Sequence, residues 1–108
     1  MNKTDLLQGT LDLLVLRTLM AGSLHGYAIA QRIQQRSDEV LVVEEGSLYP
    51  ALHRMEESGL IKANWATTDK NRRARVYQIT RTGMKELEQE ESRWRNISNA
   101  IGRVLKEA

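Results

Sequence analysis

Residues 44–83 read EEGSLYPALHRMEESGLIKANWATTDKNRRARVYQITRTG, and their patterning decides the fold. Leu48, Leu52 and Met55 recur at i, i+4 and i+7, flanked by Ala51, which is the apolar stripe of a helix. Acidic and hydroxyl residues just before it suit a helix N-terminus, where backbone N–H groups lack partners. Gly59 suits its end. A helix is therefore expected over about Gly46–Ser58, with Pro50 in or near the first turn, where a missing N–H costs little. The face opposite the stripe holds Pro50, His53 and Glu57, with Ser47, Tyr49 and Arg54 on its shoulders. Hydroxyl, phenol, imidazole and guanidinium groups on one helix face can bond to base edges or phosphates.

The rest of the stretch reads as a hairpin. Leu60–Trp65 is a strand, residues 67–72 are a polar turn, and Ala74–Ile79 alternates polar and apolar as a half-buried strand should. Two strands with a basic tip are expected, and Trp65 is expected in the core. The charge distribution singles out the same region. Residues 1–60 carry five Lys/Arg against eight Asp/Glu, and residues 83–108 carry five of each. Residues 61–82 carry Lys62, Lys70, Arg72, Arg73, Arg75 and Arg81 against Asp69 alone. Nearly all the excess positive charge of a chain with net charge +2 lies there, as expected of an element that contacts phosphates.

Upstream, residues 6–21 form a helix apolar nearly all round. Leu7, Leu11, Leu14 and Thr18 line one face, and Leu6, Leu13, Leu16 and Met20 another, so more than one side needs a cover. Gly22-Ser23 ends it. A second helix is expected over Gly26–Arg36, broken by Ser37-Asp38, and Val40–Val43 is either a small strand or an extended linker. Downstream, Thr80 caps a last helix over about Arg81–Glu107. Leu87, Trp94, Ile101 and Ala108 fall at one heptad position and Ile97 and Val104 at the other, with Glu90 breaking the second series. So long a helix has too little of its own domain to pack on. Its natural partner is the same helix, or the first helix, of a second copy.

The order is helix, helix, helix, hairpin, long helix. The fold class is mainly α with a small β-hairpin: a winged helix-turn-helix over residues 1–80 and a dimerisation helix over residues 81–108. In such a fold the third helix enters the major groove while the wing reaches phosphates or the minor groove.

A chain of 108 residues is one domain, too small for a large enzyme core. Without Cys it has no disulfide framework or thiolate site. Two His and scattered carboxylates make no nucleophile–base pair or metal cluster at recognisable spacing, so an enzyme, a cofactor and a metal are not expected. The leucine-rich start is interrupted by Gln8, Asp12 and Arg17, and no run reaches the roughly 20 apolar residues of a membrane span. A soluble, cytoplasmic protein is expected, with no membrane partner.

Three segments resemble the PadR-type transcription regulators of bacteria. They are Leu24–Ile29 (LHGYAI), Gly46–Glu56 (GSLYPALHRME) running on through Gly59-Leu60-Ile61, and Arg72–Tyr77 (RRARVY) with Ile79–Gly83 (ITRTG). The resemblance implies a homodimer joined through the first and last helices. It also implies a repressor that sits on an inverted-repeat operator and releases it when an effector binds. The chain resembles the short members, with one C-terminal helix, rather than those similar to the phenolic-acid regulators, whose C-terminal domain is larger. In multidrug-binding short members, a Trp at a place similar to Trp94 pairs with its symmetry mate and sandwiches flat aromatic ligands.

The candidate DNA contacts are Tyr27, Ser47, Tyr49, Pro50, His53, Arg54, Lys70, Arg72, Arg73 and Arg75. Arg54 is the foremost, since a guanidinium matches a guanine edge. Several readings stay open. Ser47 caps the helix or touches DNA; Tyr27 bonds a phosphate or packs in the turn; Arg75 touches phosphate or pairs with an acid. His25 caps or packs. The candidate seam is Leu7, Leu11, Leu14, Leu87, Trp94, Ile97, Ile101 and Val104. Trp94, with Ile97 and Met20, either lines an aromatic effector site or only fills that seam. The rival reading is a winged helix that binds another protein without specific DNA binding.

Overall fold

The computed structural model describes residues 3–67 and 69–106, with side chains from residue 9 onward. The elements follow the expected order with one addition: α1 (Lys3–Leu19), β1 (Leu24–His25), α2 (Gly26–Arg36), α3 (Glu45–Glu57), β2 (Ile61–Thr67), β3 (Arg73–Ile79) and α4 (Arg81–Lys106). The sheet is antiparallel in the order β1-β3-β2. The expected two-stranded hairpin thus gains a short third strand, with Leu24 opposite Tyr77 and His25 opposite Val76. Two residues are too few for an alternating pattern to show in the sequence. The run Val40–Val43 is coil, which selects the linker over the strand.

One core joins the helices to the sheet. Val15, Leu16 and Leu19 of α1, Ile29 and Ile33 of α2, Leu48, Leu52 and Met55 of α3, and Ile61, Tyr77 and Ile79 of the sheet are all buried. Leu11, Leu13 and Leu14 are partly buried against it. Thr18 is buried too, and its hydroxyl donates to the Leu14 carbonyl at 2.7 Å. Leu7 lies outside the residues whose side chains are described.

Local chemistry sets the joints. His25 caps α2, its Nδ1 accepting from the Ala28 N–H at 3.3 Å. The chain leaves α2 through Asp38 and Glu39, both with positive φ. Ser37 holds this bend, its Oγ donating to the Gln34 carbonyl at 3.1 Å and accepting from the Leu41 N–H at 2.9 Å. Thr80 starts α4 as expected: its Oγ1 accepts from the Gly83 N–H at 3.0 Å and donates to the Gly59 carbonyl at 2.6 Å. Gly83 is required there, because a Cβ would stand 2.1 Å from the Leu60 carbonyl oxygen.

Two expectations about packing are corrected. Leu87, placed in the seam by heptad spacing, is 4% exposed and belongs to the chain's own core. Gly83 and Leu87 of α4 are buried with the rest of this core. Trp65, expected in the core, is 60% exposed, because β2 has already left the helices behind by that point. Beyond Glu91, α4 is exposed at every described residue except Ala100, which is half-buried. No helix among the described residues is long and apolar enough to cross a membrane.

Candidate nucleic-acid interface

Helix α3 presents what its sequence implies. The stripe of Leu48, Ala51, Leu52 and Met55 is buried, while Ser47, Tyr49, Pro50, His53 and Glu57 are exposed. Its N-cap is Glu44, which makes no side-chain capping bond. Ser47 thus lies inside the first turn, exposed and off the cap position. Pro50 lies deeper than expected, as the sixth residue of α3, because the helix starts at Glu45. There it removes a hydrogen bond that would reach the Gly46 carbonyl and adds a clash, a defect of about 3 kcal/mol in a helix interior. It falls on the exposed face, where solvent or a bound group can take up that carbonyl.

Tyr49 lies across the start of α2. A Cβ on Gly26 would stand 2.8 Å from its Cε1 and 3.1 Å from its hydroxyl oxygen, so any larger residue there has to push the exposed ring aside. This contact joins two of the motif segments, Leu24–Ile29 and Gly46–Glu56, in space. Tyr27, next to Gly26, is exposed. Tyr27 and Tyr49 thus stand at the junction of the α2 N-terminus and α3.

Arg54 of α3 and Arg75 of β3 are both held by acids within the chain. Arg54 donates from Nη1 to Asp12 Oδ2 and from Nη2 to Asp12 Oδ1, each at 2.8 Å. This fork ties α3 back to α1, and the bonds to Asp12 raise the Arg54 pKa above its usual value. Of the alternatives for Arg75, the structure has the acid: Nη2 donates to Glu56 Oε2 at 2.8 Å. His53 Nε2 lies 3.0 Å from Glu57 Oε1, one turn on, with both side chains exposed. Sequence reasoning saw no partner for Arg54, since Asp12 is 42 residues away.

The hairpin register carries the rest. Ile61 pairs with Ile79, Ala63 with Tyr77, Trp65 with Arg75 and Thr67 with Arg73. Alternation places these eight residues on one face. That face is core at its base and basic toward its tip, and Arg75 links it to Glu56 of α3. Burial raises the Tyr77 pKa, against the opposing charge of Arg75. Trp65 lies between: the Arg73 guanidinium is 5.1 Å from its ring centroid and that of Arg75 is 5.9 Å away. The sequence reading placed this ring in the core, although its cross-strand spacing to arginines held the signal for these contacts. The tip turns through Asn71, at φ 59°, where Asn is tolerated. Lys70, Arg72 and Arg73 are exposed around it.

The candidate effector residues Met20, Trp94 and Ile97 are all exposed, Trp94 by 50%. A separate cavity of about 250 Å³ lies between α1, α2 and the linker, floored by Leu14, Ile33 and Leu41 and edged by Arg17 and Arg36. Among the described residues no group of three or more His, Cys, Asp or Glu could hold a metal ion.

Known proteins are similar to this chain in structure or in sequence. A transcriptional regulator from Clostridium thermocellum superposes with a TM-score of 0.85 at 32% identity, covering 94% of this chain and 99% of that one. An uncharacterized protein of Lysinibacillus sphaericus is 27% identical over 101 residues, 94% of this chain and 93% of its own length. An uncharacterized 37.1 kDa protein in transposon TN4556 of Streptomyces fradiae is 38% identical over 97 residues, 90% of this chain but only 26% of that protein. The family model of PadR-like transcriptional regulators matches residues 15–89, which run from the buried part of α1 through α3 and the wing into α4. With its winged helix-turn-helix, this chain belongs to the PadR-like family of DNA-binding transcriptional regulators.

Proposed function

We propose that the chain acts as a homodimer on an inverted-repeat operator, as a repressor released by a small aromatic effector. The observation that carries the reading is the C-terminal half of α4. Trp94, Ile97, Ile101 and Val104 make an exposed row at heptad spacing, with Leu105 beside it, on a helix that has left its own core. An apolar row of this kind is covered by another chain. A dimer gives each operator half-site one α3 and one wing. Leu11 and Leu14 of α1 are only partly covered and extend the seam.

On DNA, Tyr49, Pro50, His53 and Ser47 face the major groove and Tyr27 a flanking phosphate. Lys70, Arg72 and Arg73 hold the backbone from the wing. Arg54 acts chiefly through Asp12, setting the angle of α3 on α1, and Arg75 does the same for the wing through Glu56. Trp94, Ile97 and Met20 meet their counterparts across the seam, where a flat aromatic molecule stacks on the indoles. Its binding shifts the spacing of the two α3 helices and so the operator affinity.

The test is selection of bound duplexes from a random pool, followed by a salt titration and sedimentation. A palindromic consensus, a steep fall of log affinity with log salt and a dimeric mass are expected. A flat salt dependence with no enriched sequence would favour the protein-binding alternative.

A further inference from the structure

We infer that Trp65 is a DNA-contacting residue of the wing, which meets the sugar–phosphate backbone and holds the Arg73 guanidinium in position for it. The inference rests on the duplex-binding reading above. An indole carries a large apolar area that favours burial, yet this one is 60% exposed on a strand whose base is buried. It contributes little to the core, which ends at Ala63 on that face. Its place is set by the register. Trp65 lies opposite Arg75, and Thr67 opposite Arg73, on the face that runs from the core past α3 toward the basic tip.

Both arginines lie over the ring, at 5.1 and 5.9 Å from its centroid, within cation–π range. They differ in what else they do. Arg75 is neutralised by Glu56 at 2.8 Å, and its charge is already satisfied. Arg73 sits nearer the tip and nearer the ring centre. A guanidinium held over an indole loses part of its rotamer freedom before DNA arrives, and a ring face, which accepts no conventional hydrogen bond, leaves its N–H donors for phosphate. The indole adds an apolar plate for deoxyribose and an N–H donor for phosphate. The wing thus combines an ion-paired arginine that fixes the hairpin on α3, a stacked arginine for phosphate, and the ring between them.

The test measures affinity for a mixed-sequence duplex at low salt, because phosphate contact needs no operator. Trp65→Ala should weaken binding roughly three- to tenfold, with the salt slope unchanged because no charge is lost. Trp65→Phe should recover most of the affinity, and Arg73→Ala should reduce the slope by about one. Since the ring is exposed, thermal unfolding of Trp65→Ala should stay close to the parent. A readout independent of stability is the indole N–H resonance of Trp65 in ¹⁵N-Trp protein, assigned by its loss in Trp65→Phe. It should shift when duplex is added. Unaltered affinity in Trp65→Ala, or an indole resonance unmoved by saturating duplex, overturns the inference and leaves the duplex-binding reading intact. No binding by the unsubstituted protein overturns both.

Discussion

Helices α3 and α4 are both amphipathic, but they finish their apolar faces in opposite ways. In α3 every large apolar residue of the stripe is buried within the chain, and the face turned outward is polar. In α4 the last buried apolar residue is Leu87, and the row from Trp94 to Val104 faces outward. The difference separates two kinds of surface that a residue scale alone does not. An exposed polar face beside a basic hairpin is complete as folded and offers hydrogen bonds to a ligand. An exposed apolar row is incomplete until another surface covers it.

The largest effect should come from breaking that second surface. Ile97→Asp or Val104→Asp puts a charge where the seam excludes water, at a penalty of several kcal/mol. Sedimentation should show monomers at concentrations where the parent is dimeric, and operator affinity should fall as the dimer dissociates. The contrast is Leu52→Ala in α3, which opens a cavity in the intrachain core and should cost about 2–5 kcal/mol. Each monomer should be destabilised by Leu52→Ala. A dimeric Ile97→Asp protein would refute the seam and leave the row of α4 without its explanation.

Next in size are the wing cations. Arg72→Ala with Arg73→Ala should weaken binding to every duplex and reduce the salt slope by about two, roughly one for each phosphate left without its cation. The dimer should survive, since both residues lie far along the hairpin from α4. An unchanged slope would assign the wing another partner and weaken the view of this region as a finished ligand surface.

Much of the fold could be read from the sequence because its signals were local. The stripe of α3, the alternation of β3, the Thr80 cap and the basic turn each declare themselves within about ten residues. What escaped was non-local. The strand β1 exists only through its pairing with β3. Leu87 and Trp94 share a heptad position, but only three-dimensional packing reveals that the core ends between them. Trp65 looks like a core residue until the register places it beyond the reach of the helices. The site was legible as a set of residue types but not as a set of partners, and Arg54 illustrates why: nothing local links it to Asp12.

That pair supplies a smaller test. If Arg54 serves α3 only through its fork to Asp12, Arg54→Ala and Asp12→Ala should lower stability by similar amounts, on the order of 1–2 kcal/mol for a partly buried, two-bonded pair. Operator affinity should then fall equally in both. A clearly larger loss in Arg54→Ala would show that the guanidinium leaves Asp12 for a base edge, which would make α3 less complete within the chain than its packing suggests.

The smallest effect belongs to the point where α4 changes character. Glu90 interrupts the heptad at the edge of the core, where its side chain is mostly buried and Arg93 donates to it at 2.6 Å. Burial raises its pKa above the usual carboxylate value, Glu86 one turn earlier adds to that, and Arg93 opposes it. With the folded pKa above the unfolded one, the folded state holds more protons between the two values. Stability therefore falls as pH rises through that interval, and the penalty is fully present above the folded pKa. Glu90→Gln should accordingly raise the melting temperature slightly at neutral pH. The gain should shrink as pH falls through the interval and vanish once Glu90 is protonated in both states. A gain that persists unchanged in acid would mean that the carboxylate charge is not what weakens this turn. The end of the chain's own packing at Leu87 would then need a steric cause.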